Sequence, residues 1–496
     1  MNTRKQMLIK HAPVIGVILF SGVSLVLGVS PSFVLVLSTW IFAFMYACYN
    51  LRKRVFLAAF LISFFVFLLG AHFVYEYFGM EVQYHLGDSY YINSNLAIFF
   101  SLISLTTTFV VIDFLRNKRK CGQVEESQIL AVENLNHSQK VETIRIISKI
   151  LFYISSIFWI GLIVEKGIFV YKNTYLSYYV NFSSSIPVLL RAIGEMSPYF
   201  FYIFLATMPS KKETVFPLIL YVLYALLSIT TGRRIELVIM FLFVVLYFIF
   251  REKNSFEKYN WITKKMLVFM FIALPIFLIL LYSFNYLRFL DKVAPTSLWH
   301  KLLSFFRQQG FSSSIIRLTE YHKEELNPNA YYSFFGLLKW LRTNSLIRLF
   351  YRPDYGFSYI GPSVEFATLG NSLANSLGYI VLPEAKFMGG TGLGSCYVAE
   401  LSHDFGSAGV VLGSSIYGLF IALISRLLER PYNRIWAVSI CFSVFESFMK
   451  APRWNYDIVF VSLLDLGMWS AIICTLVLSF LYTRWIVYRE RHKEKK

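Results

Sequence analysis

The chain has 496 residues, of which 56% are hydrophobic and only 15% charged, a balance that excludes a soluble globular enzyme and a disordered chain. Apolar runs of about 20 residues recur, each long enough to cross a hydrocarbon core as a helix, and the short alternating segments of a β-barrel are absent. The formal charge of +18 calls for no nucleic acid, because cytoplasmic loops of membrane proteins hold excess Lys and Arg.

The fold class expected is all-α, a polytopic bundle of about twelve spans. They are predicted at 12–29, 32–49, 55–74, 91–115, 148–168, 187–208, 214–231, 235–250, 266–285, 407–425, 435–449 and 458–482. Met1–His11 is basic and precedes an apolar run, as in an uncleaved signal-anchor. With that end inside, most of the 47 Lys and Arg fall in cytoplasmic segments, from Arg52–Arg54 through Arg116–Lys120 to the tail after Arg484. The first long outer loop, Tyr75–Tyr90, has no Lys or Arg but carries Glu76, Glu81 and Asp88, as the positive-inside rule requires. Three regions follow: a membrane bundle at 1–285, a large external loop at 286–406, and a second bundle with a basic cytoplasmic tail at 407–496. The five cysteines are scattered, so neither a disulfide nor a metal cluster is expected.

Span six holds Arg191 and Glu195 at i, i+4. Ionisable residues inside a span carry function or pair with each other, and either reading suits these two. Between spans seven and eight lies Thr231-Gly232-Arg233-Arg234-Ile235-Glu236, a tight turn on the outer face. Two adjacent arginines there oppose the topogenic rule, and their planar forks match phosphate oxygens. The bland reading is a pair of snorkelling helix ends. The long external loop has no convincing span, yet Leu298–Phe311 and Ser333–Tyr351 show helical apolar spacing with basic residues opposite, as in helices lying at headgroup level. Arg288, Arg342 and Arg348 in this region are candidates to line a basic vestibule. Glu365 is one carboxylate candidate.

The loop ends on Gly389-Gly390-Thr391-Gly392-Leu393-Gly394-Ser395. A glycine-rich run before a helix can cradle phosphate on backbone N–H groups, here through Gly390, Gly392 and Gly394. No apolar strand precedes it, so it is not a dinucleotide fingerprint. Glu400, His403 and Asp404 follow at i, i+3 and i+4 and share a face if the segment is helical. That face could supply a general base, or merely a polar, dipole-compensating helix start. No second His/Asp cluster has metal-ligand spacing.

The run Gly392-Leu393-Gly394-Ser395-Cys396-Tyr397-Val398-Ala399-Glu400, then Asp404-Phe405-Gly406 and Gly409-Val410-Val411-Leu412-Gly413, resembles the signature of bacterial O-antigen polysaccharide polymerases of the Wzy type. The Gly232-Arg233-Arg234 turn and the long loop before the last spans are similar to features of that family. The chain departs from its pattern at His403, where an apolar or aromatic residue is expected. The resemblance implies a GT-C-like glycosyltransferase, without metal or other cofactor, that joins oligosaccharide repeat units carried on undecaprenyl diphosphate at the outer face of the bacterial inner membrane. It implies membrane lipids and a chain-length regulator as partners, and no nucleic acid. Arg233 and Arg234 would stabilise the leaving diphosphate, with Glu400 or Asp404 as base and His403 secondary. Two rivals remain open: a flippase for the same lipid-linked sugars, which would show two similar halves, and an O-antigen ligase, which differs only in its acceptor.

Overall fold

The computed structural model describes residues 3–120, 130–173, 177–178, 181–232, 234–254, 261–264, 268, 297–348, 350, 358–359, 362–429 and 434–493, some of them by backbone alone. Among these residues every regular element is helical, as the recurring apolar runs require. Eight helices are long and apolar enough to cross a membrane: Pro31–Tyr49, Leu51–Phe78, Asp88–Arg116, Gln139–Lys172, Val188–Ala206, Lys211–Thr231, Tyr397–Leu427 and Ile458–Arg489. The chain is a multi-pass helical membrane protein. Of the other expected spans, the first matches the shorter apolar helix Val14–Val26 and the eighth the helix Arg234–Asn254. The eleventh is divided into Ile435–Ser443 and Phe445–Lys450. The span expected at 266–285 lies outside the described residues, residue 268 apart.

Two compact units form. The first contains Met1–Phe114, Ile262–Ser425 and Ser447–Val461; the second contains Leu115–Trp261, Arg426–Glu446 and Ser462–Lys496.

In the first unit the long apolar run from Leu51 to Phe78 is 83% buried over its most apolar window, against 33% for Pro31–Tyr49, so it is the inner helix of the two. Helices from the 298–321 stretch pack on it. Leu298–Gln309 starts at Ser297, whose Oγ accepts from the His300 N–H at 3.1 Å, a normal N-cap. Gly310 then passes directly over the Ala71 backbone, where any Cβ would collide. The next helix, Ser312–Tyr321, sinks Arg317 to 0% exposure. Its guanidinium donates to the Tyr84 carbonyl at 3.0 Å, the Gln83 carbonyl at 3.2 Å, Ser314 Oγ at 2.9 Å and His72 Nε2 at 2.5 Å. Burial lowers its pKa to about 10. A buried cation needs such a full set of acceptors, so Arg317 pins this helix to Leu51–Phe78 and to the loop that follows it. The second expected amphipathic stretch, 333–351, is divided: Phe335–Thr343 ends at Asn344, and only the short Ser345–Arg348 follows.

In the second unit, Lys211–Ser228 opens on a capping box between Ser210 and Glu213. It tightens into a 3-10 turn at Ile229–Thr231 and closes on Gly232 at φ 76°, a left-handed conformation that glycine adopts without penalty. Span six, Val188–Ala206, is interrupted at Met196. Val188–Glu195 stops, and Ser197–Ala206 restarts with a proline in its first turn. Arg191 is half-buried and Glu195, the last residue of its segment, is exposed, and no ion pair joins the two, so the pairing that their spacing allows is not formed.

Candidate active site

The helix expected to begin at 407 begins ten residues earlier, at Tyr397, and runs to Leu427 with one break, at Gly406 (φ 63°, ψ −157°). Only glycine reaches that backbone conformation freely. The break separates a short helical segment carrying Glu400, His403 and Asp404 from the long apolar part. The glycine run before it is irregular, with Gly390 at φ 89° and Gly394 at φ 85°, and Gly392 and Gly394 are exposed.

Glu400 is 0% exposed. Its Oε1 accepts from Ser395 Oγ at 2.6 Å and Asn455 Nδ2 at 2.8 Å; its Oε2 accepts from the Tyr456 N–H at 2.8 Å. Three donors satisfy this buried carboxyl group and tie the 395–400 segment to the 455–456 segment. Next to it in sequence, Asp457 is 1% exposed. Its Oδ2 accepts from the Leu337 N–H at 2.6 Å, and a Cβ on Gly336 would come within 2.7 Å of its Oδ1. Asp457 therefore caps the start of Phe335–Thr343 from a distant part of the chain, and burial pushes its carboxyl up to about 6.

Asp404 works in the same way on the preceding turn. Its Oδ2 accepts from the Ser333 N–H at 2.7 Å, inside the 3-10 turn Tyr332–Phe334. Its Oδ1 lies 3.0 Å from His403 Nδ1. A carboxylate only accepts, so Nδ1 carries the proton, and a neutral His403 presents its lone pair at Nε2. Nε2 makes no hydrogen bond among the described residues. The Tyr332 ring meets the imidazole edge-on at 5.0 Å, which holds the ring plane. An imidazole oriented by a carboxylate, with its outer nitrogen unengaged, is suited to accept a proton from a bound hydroxyl.

The other expected residues are dispersed. Glu365 is exposed in the first turn of Val364–Leu369 and makes no bond to this cluster. Arg342 donates to the Tyr359 hydroxyl at 2.5 Å, and Arg348 is exposed at the end of its short helix. Arg288 and Arg233 lie outside the described residues, and Arg234 is described by backbone alone, as the first residue of Arg234–Asn254. Beside the Gly232 turn the second unit has a partly open cavity of about 170 Å³, lined by Thr231 and Glu236 from either side of Gly232. Among the described residues no three His, Cys, Asp or Glu side chains gather as metal ligands. Sequence reading missed Ser333, Ser395, Asn455, Tyr456 and Asp457. The first four carry no local signal, whereas Asp457, a lone carboxylate at the edge of an apolar run, does.

The family model described as O-antigen polysaccharide polymerase Wzy matches residues 9–487. No curated protein and no solved structure matches the chain.

Proposed function

The chain belongs to the O-antigen polysaccharide polymerase Wzy family, a family of glycosyl-transferring membrane polymerases acting on lipid-linked oligosaccharide repeat units, and from that premise we propose a specific division of labour for its side chains. The substrates are oligosaccharides on undecaprenyl diphosphate, met at the outer face of the bacterial inner membrane. The acceptor is a sugar hydroxyl of an incoming unit, and the donor is the growing chain on its lipid diphosphate. His403 Nε2 takes the hydroxyl proton as the oxygen attacks the donor's anomeric carbon. The bond from that carbon to the phosphate oxygen breaks, and the diphosphate leaves with the electron pair. Asp404 is the positioning residue that fixes the imidazole tautomer. Arg233 and Arg234 are proposed as contacts of a lipid diphosphate, since their planar forks match its oxygens.

The observation that carries this reading is the Asp404–His403 pair, with Asp404 itself held by the Ser333 N–H. Glu400 has a different part: with both oxygens occupied it holds the frame. A regulator of chain length is the protein partner this activity implies. The test is polymerisation by purified protein from lipid-linked repeat units. His403→Gln should lose about 10²–10⁴-fold in rate, the usual range for general-base assistance, while the protein still inserts and still binds donor. Near-normal polymer from His403→Gln would remove the imidazole from the mechanism. A deletion strain should display one repeat unit on its surface acceptor. Loss of even that unit would favour a flippase.

A further inference from the structure

We propose that the 331–334 turn of the first unit, with Asn371 and Phe405 beside it, seats a neutral sugar ring of the acceptor. This deepens the reading above and rests on its assignment of His403 as the proton acceptor. The turn and the 403–405 segment meet residue by residue. The Tyr332 ring stands edge-on to the His403 imidazole at 5.0 Å, and Asp404 accepts from the Ser333 N–H at 2.7 Å. The flanking residues turn outward: Tyr331 is 57% exposed, Phe334 39% and Phe405 44%. Their rings form one patch. Tyr331 and Phe405 stack with centroids 6.0 Å apart and planes 24° from parallel, and Phe334 meets Phe405 edge-on at 6.3 Å. After Phe405 come Gly406, Ser407 and Ala408, all exposed, so no bulky side chain follows the ring along the chain.

Polar atoms stand unengaged among these residues. Asn371 is 7% exposed. Its Nδ2 donates to the Tyr331 carbonyl at 3.2 Å, while its Oδ1 is buried without a hydrogen-bond partner. Ser333 is wholly buried, and its Oγ likewise has no partner. With His403 Nε2, three polar atoms of one cluster are unspent. Buried polar groups in native proteins are paired almost throughout, with protein, water or a ligand. A hydrocarbon tail on the rings would leave all three unpaired. A phosphate suits the place no better: Asp404 supplies negative charge, and among the described residues none of these side chains bonds a lysine or arginine. A sugar ring matches both parts of the cluster. Its hydroxyls can donate to Asn371 Oδ1 and His403 Nε2, and its C–H face can pack on the exposed rings. A few polar groups set among aromatic ones are the usual makeup of a small-molecule site.

The experiment measures binding to the full-length protein in nanodiscs. The probe is the repeat-unit oligosaccharide released from its lipid by mild acid, which carries neither diphosphate nor tail. Tyr331→Leu and Phe405→Leu keep an apolar surface and lose the ring. Ser333→Ala removes the hydroxyl and keeps the N–H that Asp404 holds. The wild type should bind the probe, and each of these variants should bind it about 3- to 10-fold more weakly, the range of one aromatic contact or one neutral hydrogen bond. In polymerisation each should raise the KM for the lipid-linked repeat unit more than it lowers kcat. Phe405→Tyr, which keeps the ring, should bind as the wild type does. No binding by the wild type would overturn the proposal. So would undiminished binding by all three variants, which would leave the rings as surface for lipid tails. Binding of bare undecaprenyl diphosphate should not change; a variant that loses it has misfolded, and the other two decide. Polymerisation that survives His403→Gln, with sugar binding still weakened in the three variants, would sink the reading above and leave the sugar site supported.

Discussion

In the first unit Glu400 is wholly buried and both of its oxygens are taken by protein donors, one of them a main-chain N–H. In the second unit the hydroxyls of Ser228 and Thr231 have spent their protons, and their remaining acceptor capacity faces a cavity. Both places are polar and lie among apolar helices. They differ in what is left over. A saturated buried carboxylate is a joint, since moving it would strand three donors. Acceptor oxygens that face a cavity can still take a hydrogen bond from water or from a ligand. The Asp404–His403 pair combines the two: Asp404 is engaged on both oxygens, and that engagement is what leaves His403 Nε2 as the unspent group.

The largest effect should come from breaking the joint. Glu400→Ala leaves the Asn455 and Tyr456 donors buried without acceptors, while the Ser395 hydroxyl can rotate away. At about 1–3 kcal/mol for each unsatisfied donor, the loss is about 2–6 kcal/mol. Thermal unfolding in detergent should register it as a protein that loses its first unit well before the wild type. An unchanged melting profile would show that the joint bears no weight.

The pH dependence of stability sharpens the same contrast. Burial raises Asp457 from an ordinary 3.8 to about 6, so between these values the folded chain holds a proton that the unfolded chain has released. Its contribution is therefore fully present below about pH 4, declines as pH rises through about 6, and is gone above. The shift corresponds to about 3 kcal/mol. Melting followed from pH 4 to 7.5 should show that decline, and Asp457→Asn should flatten it. A slope that survives the substitution would assign the proton elsewhere.

Next in size is the arginine turn. Arg234→Lys keeps the charge and loses the planar fork, so polymerisation should fall about 100-fold, the cost of one preorganised donor, with normal insertion and expression. Full activity would make the pair a topological anchor. The smallest effect is a control: Glu195→Gln should change stability by less than about 0.5 kcal/mol, because an exposed residue with no ion-pair partner has little to lose.

How much of this was legible beforehand follows from where each signal lies. The helical membrane class, the positions of most spans and the amphipathic character of 298–309 come from periodicity and composition, which are local. The turn at Gly232 and the position of Glu400, His403 and Asp404 on one helical segment were also readable from spacing. Spacing could not show that the helix starts at Tyr397 and breaks at Gly406, because a glycine within an apolar run is compatible with a continuous helix until its φ is known. Nor could it show which member of the trio is spent. That depends on Asn455 and Tyr456, more than fifty residues away, and on Ser333, seventy residues in the other direction. Such pairings are tertiary and leave no trace in either segment's pattern. Arg191 and Glu195 stand four apart on one helical segment, Val188–Glu195, and still form no ion pair, because spacing brings two side chains near each other without fixing whether they bond.

The proposed proton transfer depends most directly on the imidazole of His403. Replacing it with glycine leaves a gap the size of the lost ring beside Asp404 and Tyr332, into which free imidazole can diffuse. Polymerisation of lipid-linked repeat units by purified His403→Gly, assayed with and without added imidazole, therefore tests the proton acceptor itself. The expected result is a variant nearly inactive alone that regains polymer synthesis as imidazole is added, with the restored rate rising as pH favours the neutral ring. A His403→Gly protein that polymerises at the wild-type rate with no imidazole present would contradict it.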